Sequence, residues 1–509
     1  MTKSSDVVII GGGHNGLVAA AYLSRAGLSV TILEKNETIG GATASQKVFP
    51  DYDARLSRYS YLVSLLPDAI VRDLGLSFTT LGRQISSYTA DAIGDLTVSR
   101  EDDALNQSSF ASLTGSEKEY AAWQSFYADV QKLADVIAPT MLEKLPTRSE
   151  LKSKVSDAIW DEIIERPLGE VLESRFTDDL VRGVVFTDGL IGTFADAHDI
   201  ATNRCFVYHL IGNGTGEWKV PRGGMGGLVA ELEALCKKNG VTIVTNAEVT
   251  TLRHDDAWNT MTSSGDGYES RFVLANCAPQ HLARMLGDTP PPSLDGSQVK
   301  VNMLLTKLPR LKSGVDPRIA FAGTFHFDEK YSDLQKAYAQ ARVGQIPDRI
   351  PAEMYCHTLT DTSILSSELA ASGFHTLTLF GIHTPASLFD KEHDRVKAEI
   401  LRRLLSQLNE YLVDPIEECL ARAANGSLCI EIKSPLELER DISLPRGNIF
   451  HKDLSMPFRE DVEAPSWGVE TRHPNLYLCG AGAIRGGGVS GIPGHNAAAA
   501  VLEQLHLNS

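Results

Sequence analysis

Cysteine is scarce and scattered in this 509-residue sequence. The seven cysteines stand at positions 205, 236, 277, 356, 419, 429 and 479, and no two of them form a C-x-x-C pair. This spacing excludes the usual His/Cys zinc sites and a redox dithiol, and an odd, dispersed set favours a reduced compartment. We therefore expect a cytoplasmic protein that has no metal centre.

Long apolar runs and excess positive charge are also missing. No stretch of about 18 uninterrupted apolar residues occurs, so the sequence predicts no transmembrane segment. No strongly basic amphipathic helix is found, although a peripheral contact with a membrane stays open. The 48 basic residues are outnumbered by 65 acidic ones, for a net charge of −17. This balance disfavours nucleic acid or anionic lipid as a general partner.

The first 45 residues combine an apolar strand, a glycine-rich turn, a helix and a second strand. Gly11 permits the tight turn, Gly13 lets the backbone approach a pyrophosphate, and Gly16 lets the helix pack closely on the sheet. Glu34 ends the second strand, where a carboxylate accepts hydrogen bonds from a ribose. The unit therefore predicts a dinucleotide whose phosphates lie on the helix N-terminus.

The residues after Glu34 distinguish between dinucleotides. Residues 35–42 read Lys-Asn-Glu-Thr-Ile-Gly-Gly-Ala, and an acid followed by paired glycines resembles the extended signature of FAD proteins of the amine oxidase and phytoene desaturase superfamily. The resemblance implies FAD as the cofactor. The implied contacts in this first part of the chain are Gly11, Gly13, His14, Asn15, Gly16, Glu34, Lys35, Gly41 and Ala42.

The middle of the chain alternates between two kinds of pattern. The glycine-rich residues 221–227 lead into a helix and a strand at 241–244, which returns the chain to the nucleotide domain. Alternating residues at 299–305 and 376–380 predict an antiparallel, half-buried sheet. Apolar residues at helical spacing between 120 and 137 predict a helix ended by Pro139, either as packed core or as a cap over the substrate.

The C-terminal region repeats the strand, glycine-rich turn and helix order. An apolar strand at 475–479 feeds a segment from Gly480 to Gly494, and a small-residue helix follows at 496–505. So many glycines bring the backbone against something flat or phosphorylated. The helix end again offers free N–H groups.

Taken together, the sequence resembles the phytoene desaturase-like FAD oxidoreductases, which include bacterial carotenoid desaturases and retinol saturases. It is most similar to the branch of pyridine nucleotide-disulphide oxidoreductase domain-containing proteins. The motifs that carry the likeness span nearly the whole chain, at residues 11–17, 187–194, 221–227, 447–451 and 480–494. Further FAD contacts are implied at Val249, Gly480, Gly482, Gly488, Val489 and Ile492.

The resemblance implies an α/β fold in which a Rossmann-type FAD-binding domain is interleaved with a substrate domain of mixed or antiparallel sheet plus a helical cap. The expected division assigns residues 1–75, 216–286 and 436–509 to FAD binding, 76–215 to the substrate and cap region, and 287–435 to the substrate sheet and helices.

Two departures from the branch concern the C-terminal motif. Ile484 and Arg485 stand where the branch usually has His and Pro, and His495 stands where Arg is common. This region is expected to border the flavin and the substrate, so the substrate class is less secure than the cofactor. The chain also lacks a second G-x-G-x-x-G after a strand, which argues against a disulfide reductase with a bound nicotinamide.

The expected reaction is removal of hydride from a C–H bond of a largely apolar substrate, with formation of C=C and transfer to an unidentified acceptor such as oxygen or a quinone. The alternatives are a flavin-dependent double-bond isomerase, an amine oxidase, and a partner protein that keeps the fold without chemistry. Residues 480–500 contain no aromatic side chain, which counts against an amine oxidase. The catalytic acid or base and the oligomeric state stay open. Tyr208, His209 and Arg222 lie near the middle motifs. Histidine is the residue type among them whose unperturbed side chain exchanges protons near neutrality, so His209 is a candidate acid or base, and a packed histidine is the alternative.

Overall fold

The computed structural model describes residues 3–460, 462–463 and 465–507, and the structural statements below refer to them. Its strands, in chain order, are β1 (Lys3–Ile10), β2 (Val30–Leu33), β3 (Ser45–Gln46), β4 (Leu56–Ser57), β5 (Thr80–Leu81), β6 (Ile85–Ala90), β7 (Leu96–Ser99), β8 (Val220–Pro221), β9 (Thr242–Val244), β10 (Val249–His254), β11 (Trp258–Thr262), β12 (Gly267–Ala275), β13 (Val299–Leu305), β14 (Thr324–Phe327), β15 (Ala352–Tyr355), β16 (His375–Gly381), β17 (Ile430–Lys433) and β18 (Leu476–Leu478).

The α-helices, in chain order, are α1 (His14–Arg25), α2 (Asp68–Leu74), α3 (Asp103–Thr114), α4 (Lys118–Ile137), α5 (Arg148–Lys152), α6 (Asp157–Trp160), α7 (Leu168–Arg175), α8 (Asp179–Thr187), α9 (Ala201–Ile211), α10 (Met225–Lys238), α11 (Pro279–Leu286), α12 (Pro317–Ala320), α13 (Tyr331–Arg342), α14 (Ser367–Ala371), α15 (His393–Tyr411), α16 (Ile416–Cys419), α17 (Pro435–Ile442) and α18 (Ile492–Leu507). None of the helices in the described ranges is long and apolar enough to cross a membrane.

One sheet has a parallel core. The order β9-β2-β1-β12-β18 is parallel, and the antiparallel hairpin β10-β11 extends it beside β12. Val7 and Ile9 of β1 face α1, α10 and α18, whereas Val8 and Ile10 face the hairpin and α11. Both faces are therefore covered, which explains why the sequence of β1 ends in a continuous apolar run.

The second sheet has the order β17-β13-β16-β15-β14-β6-β7 and is antiparallel except for the β14-β6 pair. Val299, Val301 and Met303 of β13 enter the core formed with α15, and the intervening side chains point to the opposite face. Phe380 and Glu353, which share that opposite face, line the cavity described below. The alternation in the sequence thus separates a structural face from a face that is available for a site.

The helices between residues 103 and 211 share one hydrophobic core and form a helical layer. Helix α4 stops at Ile137, two residues before Pro139, as predicted. Its buried residues Tyr120, Val130 and Ile137 belong to a packed core, so the apolar stripe has the structural role. Helix α9, packed on α4, is the element of this layer that reaches the cavity described below.

The predicted fold class is confirmed, since strands from three separate parts of the chain build the parallel sheet and the second sheet lies between them in sequence. The exact division into five segments stays a prediction. The C-terminal helix begins at Ile492, earlier than the sequence suggested. Pro493 fits there because the first turn of a helix needs no N–H donor from that residue.

Candidate cofactor and substrate cavity

A continuous cavity of about 480 Å³ lies between the two sheets. Its wall is formed by the turn after β1, the segment after β2, the ends of β12 and α9, strands β15 and β16, and the C-terminal glycine-rich segment. The volume falls within the range of cofactor and ligand sites in proteins. Both ends of the chain therefore contribute to one site.

The glycine-rich turn is closed by a side chain from another strand. Asn276, directly after β12, donates from Nδ2 to the carbonyl oxygens of Gly11 (3.0 Å) and Gly13 (3.4 Å). A Cβ at Gly16 would lie 2.5 Å from the Gly11 oxygen and 2.8 Å from Asn276 Nδ2. Sequence reasoning missed Asn276, although its place at the carboxyl end of a strand beside β1 is where ligands bind in such sheets.

Glu34 organises the other side of the turn. Its two carboxylate oxygens accept hydrogen bonds from the backbone N–H groups of Gly12 (2.8 Å) and Asn36 (2.9 Å). A carboxylate has about four acceptor positions, so capacity remains for ribose hydroxyls. The side chain is buried and lines the cavity, as a ribose ligand requires.

We expect Glu34→Gln to weaken FAD binding about 10- to 100-fold, because the amide replaces one acceptor with a donor that faces a backbone N–H group. Equilibrium dialysis of FAD with the apoprotein measures the change. Glu37→Gln is the matched control, since Glu37 is exposed three residues away. Equal affinities of the Glu34 variant and the wild type would contradict the role of this carboxylate.

Several buried polar atoms on the cavity wall have no hydrogen-bond partner within the described residues. These atoms are His14 Nε2, Asn15 Oδ1, His281 Nε2, Gln298 Nε2 and His451 Nδ1. Each such atom costs about 1–3 kcal/mol unless a ligand satisfies it. Burial lowers the pKa of His14 and of His451 to about 4, so both rings are neutral near pH 7. A ligand with phosphates, hydroxyls and ring N–H groups along its length, such as FAD, fits this wall.

Most of the residues predicted to contact FAD lie on this cavity wall. They are Gly11, Gly13, His14, Asn15, Glu34, Lys35, Gly41, Ala42, Val249, Gly488 and Val489. The two ends of the chain meet directly, because a Cβ at Gly494 of α18 would lie 2.1 Å from the Asn15 carbonyl oxygen of α1.

Gly16, Gly480, Gly482 and Ile492 do not line the cavity. A Cβ at Gly480 would meet Asn276, and a Cβ at Gly482 would lie 2.6 Å from Pro279 Cδ. Ile492 is 1% exposed, within a hydrophobic core. All four residues lie behind the cavity wall. The three glycines allow the segments that form the wall to pack closely.

Aromatic side chains dominate the part of the cavity farther from the glycine-rich turn. Tyr61, Trp218, Tyr355 and Phe380 line it, with ring centroids 4.6 Å apart for Tyr61 and Tyr355 and 6.1 Å apart for Tyr355 and Phe380. These rings come from four separate parts of the chain. The lack of aromatic residues in 480–500 therefore does not make the cavity poor in them, and that argument against amine oxidation does not hold.

Two titratable side chains interrupt this aromatic wall. Glu353 of β15 is 3% exposed and lines the cavity, and burial raises the pKa of its carboxyl group. His209 of α9 also lines the cavity. Its Nε2 lies 3.0 Å from Asp188 Oδ1, and its ring stacks on Trp218 with centroids 4.3 Å apart.

The other two residues considered near the middle motifs have different positions. Tyr208 lines the cavity and accepts a hydrogen bond from the backbone N–H of Arg485 (3.0 Å), whereas Arg222 is exposed away from the cavity wall. Sequence reasoning did not identify Glu353, because a single glutamate within a strand carries no local signal.

Ile484 and Arg485 do not border the cavity, contrary to expectation. Arg485 is 1% exposed and extends into the helical layer, where Nη1 donates to the carbonyl oxygens of Met141 (3.3 Å) and Glu143 (2.6 Å). Burial lowers the pKa of Arg485 to about 10, so the group is still a cation at neutral pH. This residue therefore ties the C-terminal segment to the helical layer. His495 is also absent from the cavity wall, and its ring packs against Tyr22.

Comparison with known proteins places the chain among flavoproteins. The model of the family described as flavin containing amine oxidoreductase matches residues 16–418. An uncharacterized protein of Mycobacterium tuberculosis is 42% identical over 527 residues, which covers 99% of this chain and 98% of that protein. The mouse pyridine nucleotide-disulfide oxidoreductase domain-containing protein 2 is 29% identical, with 98% and 94% covered.

More distant likenesses extend to named enzymes. A carotenoid 3,4-desaturase of Haloarcula japonica is 26% identical over 56% of this chain and 58% of that enzyme. The solved structure of cyclohexylamine oxidase from Brevibacterium oxydans has a TM-score of 0.60 and 15% identity, covering 99% of each chain, which shows a shared fold. Both the resemblance seen in the sequence and the expected FAD cofactor are confirmed. The chain belongs to the flavin-containing amine oxidoreductase family and is an FAD-dependent oxidoreductase.

Proposed function

We propose that this enzyme removes hydride from a C–H bond of a largely apolar substrate and forms a C=C bond. The observation that carries the proposal is the aromatic end of the cavity, where Tyr61, Trp218, Tyr355 and Phe380 surround the space beyond the glycine-rich turn. An apolar molecule gains by leaving water for such a wall. The likeness to a carotenoid desaturase supports the same substrate class.

The proposal includes the binding of FAD by the fifteen residues that the sequence predicts as FAD contacts. Within it, the backbone of Gly11 and Gly13 holds the pyrophosphate at the start of α1, and Glu34 holds a ribose. The same cavity is lined by Lys35, Gly41, Ala42, Gly488 and Val489. When bound, FAD supplies the acceptor of the hydride. The aromatic wall excludes water from the reacting carbon atoms.

Oxidation of a compact amine is the second candidate. The Glu353 carboxyl group lies on the same wall as Tyr355 and Phe380, and a carboxylate among aromatic rings suits an ammonium group through charge and cation–π attraction. The family to which the chain belongs also carries amine oxidation in its description. The two candidates differ in the polarity of the substrate that the aromatic end accepts.

Anaerobic reduction of the bound flavin distinguishes the candidates. The purified FAD-loaded enzyme is mixed with cyclic terpenes, acyclic isoprenoids, fatty acyl compounds and alicyclic amines, and the flavin absorbance is followed. We expect bleaching by a hydrocarbon and a product lighter by two hydrogen atoms. Bleaching by amines alone would support the second candidate, and no bleaching by any compound would contradict both. Addition of oxygen or a quinone to the bleached enzyme then identifies the electron acceptor.

A product isomer formed in the absence of any acceptor would instead indicate a redox-neutral isomerase. Mass spectrometry separates this outcome from dehydrogenation, because an isomer keeps the mass of the substrate. The same incubation with enzyme stripped of FAD is the control for both reactions.

A further inference from the structure

Three carboxyl groups, those of Asp188, Glu329 and Glu353, gather at the aromatic end of the cavity. Glu329 and Glu353 are buried, and Asp188 is half-buried. Their close charged neighbours are histidines, since His326 Nδ1 lies 2.7 Å from Glu329 and His209 lies 3.0 Å from Asp188. No lysine or arginine in the described ranges forms an ion pair with any of the three, and the buried Arg83 attracts Glu353 through charge without a direct contact. Acidic groups buried at such cost are typical of functional sites.

The register of the second sheet explains how this cluster forms. His326 of β14 and Phe380 of β16 are the direct cross-strand partners of Glu353 on β15, so the three side chains share one face. Tyr355, two residues along β15, shares that face. Of these neighbouring titratable residues, Glu353 lines the cavity, whereas His326 and Glu329 do not. It is therefore the member of the group that a bound substrate can touch.

Lys300 lies farther along the same cross-strand row, opposite Phe380. Its Nζ is occupied by the carbonyl oxygens of Ser57 (2.6 Å) and Ser60 (3.1 Å), so it does not neutralise Glu353. The charged or titratable groups that face Glu353 are thus His326 and Glu329 from the β14 side, His209 from α9, Tyr355, and the buried Arg83. The guanidinium carbon of Arg83 lies 5.8 Å from the centroid of the Tyr355 ring.

The charges of the cluster suit a proton acceptor. Burial lowers the pKa of His326, but the adjacent Glu329 carboxylate outweighs this effect and raises it, which favours an imidazolium opposite Glu353. Burial raises the pKa of Glu353 itself, with His326 acting in the opposite direction. A carboxylate whose pKa is moved towards the working pH is a better base than an ordinary exposed glutamate.

We propose that Glu353 is the catalytic base of the cavity and that the His326–Glu329 pair is its positioning unit. The inference rests on the proposed dehydrogenation and adds the residue that takes the proton. One C–H bond of the substrate loses its electron pair and hydrogen as hydride to FAD. The neighbouring C–H bond loses its proton to Glu353 Oε, and the electron pair left behind forms the C=C bond. The substrate is oxidised by two electrons, FAD is reduced, and Glu353 becomes a neutral acid.

The first test needs no substrate. Dicyclohexylcarbodiimide, an apolar reagent that couples to protonated carboxyl groups in apolar surroundings, is incubated with the FAD-loaded enzyme, and peptides are mapped by mass spectrometry. We expect Glu353 to be labelled and the labelling to decline as the pH rises. The labelling should persist at pH values above about 4.3, the pKa of an ordinary glutamate. Glu119 is the matched control, because it is buried in α4 away from the cavity. An unlabelled Glu353 would overturn the inference.

The second test uses a compound that bleaches the flavin. We expect Glu353→Gln to slow anaerobic flavin reduction about 100- to 10,000-fold, with FAD content and unfolding temperature close to those of Glu119→Gln. The wild-type rate rises with pH as Glu353 loses its proton, and the variant loses this dependence. Glu329→Gln shifts the pH profile, whereas a purely structural role of Glu329 would leave it unchanged.

The outcomes separate this inference from the proposed function. If Glu353 is labelled but no compound bleaches the flavin, the proposed reaction is wrong. The conclusion that Glu353 is an accessible, protonated carboxyl group then still holds. If the flavin of Glu353→Gln is bleached at the wild-type rate, Glu353 is not the catalytic base, and the proposed reaction still holds. Loss of rate in His209→Gln with an unaffected Glu353→Gln would move the role to the His209–Asp188 pair and also overturn it.

Discussion

Gly16→Ala is expected to be isolated almost free of FAD. The added Cβ would lie 2.5 Å from the Gly11 carbonyl oxygen and 2.8 Å from Asn276 Nδ2, closer than real Cβ contacts come. Gly11 follows a buried strand and Asn276 follows another, so neither can retreat, and the turn must move away from the position proposed above to hold the phosphates. Overpacking of this kind costs about 1–3 kcal/mol, equivalent to roughly 5- to 150-fold weaker FAD binding.

The ratio of flavin to protein absorbance after purification measures this effect, and circular dichroism checks that the variant is folded. Gly94→Ala is the matched control, because a Cβ there would lie 3.7 Å from Leu113 Cδ1, an ordinary contact. Full FAD occupancy in Gly16→Ala would show that the turn has more freedom than the hydrogen bonds of Asn276 allow.

Arg485→Met is expected to destabilise the holoprotein by about 2–4 kcal/mol. The methionine fills much of the space but leaves the carbonyl oxygens of Met141 and Glu143 without their cationic donor, and hydrogen bonds to charged groups are worth about 1.5–3 kcal/mol each. Part of this loss is offset, because a buried cation no longer needs to be desolvated. The contact between the C-terminal segment and the helical layer should loosen as well.

Thermal unfolding of the FAD-loaded protein checks this expectation, with limited proteolysis around residue 141 as a local readout. Arg485→Lys should fall between the wild type and Arg485→Met, because lysine keeps the charge but lacks the planar fork. Arg253→Met is the control for loss of an arginine, since Arg253 is exposed on β10. An unchanged unfolding temperature in Arg485→Met would mean that the buried bonds contribute little.

The FAD end of the site is the part that could be predicted from the sequence. Gly11, Gly13 and Glu34 lie within one βαβ unit, where short loops determine how strand, turn and helix meet. The hydrogen bonds from Gly12 and Asn36 to Glu34 are equally local. Residues 3–42 therefore carry enough information to predict both the elements and the ligand class.

The substrate end depends on contacts between distant segments. Glu353 and His326 are 27 positions apart and meet through the register of β14 against β15, which no local pattern reveals. Arg485 shows the same limit. Its place in a glycine-rich motif predicted that it borders the flavin, whereas its side chain packs among residues 141–143.

By itself, the sequence determined the parallel sheet unit, the glycine turns and the alternation along β13, because strand and helix periods repeat over a few residues. Only the tertiary structure decided which faces enclose the cavity and which side chains meet there. The register between strands and the docking of the helical layer arise from burial of surfaces far apart in the chain, and these long-range contacts place Glu353, Asn276 and the aromatic rings around one space.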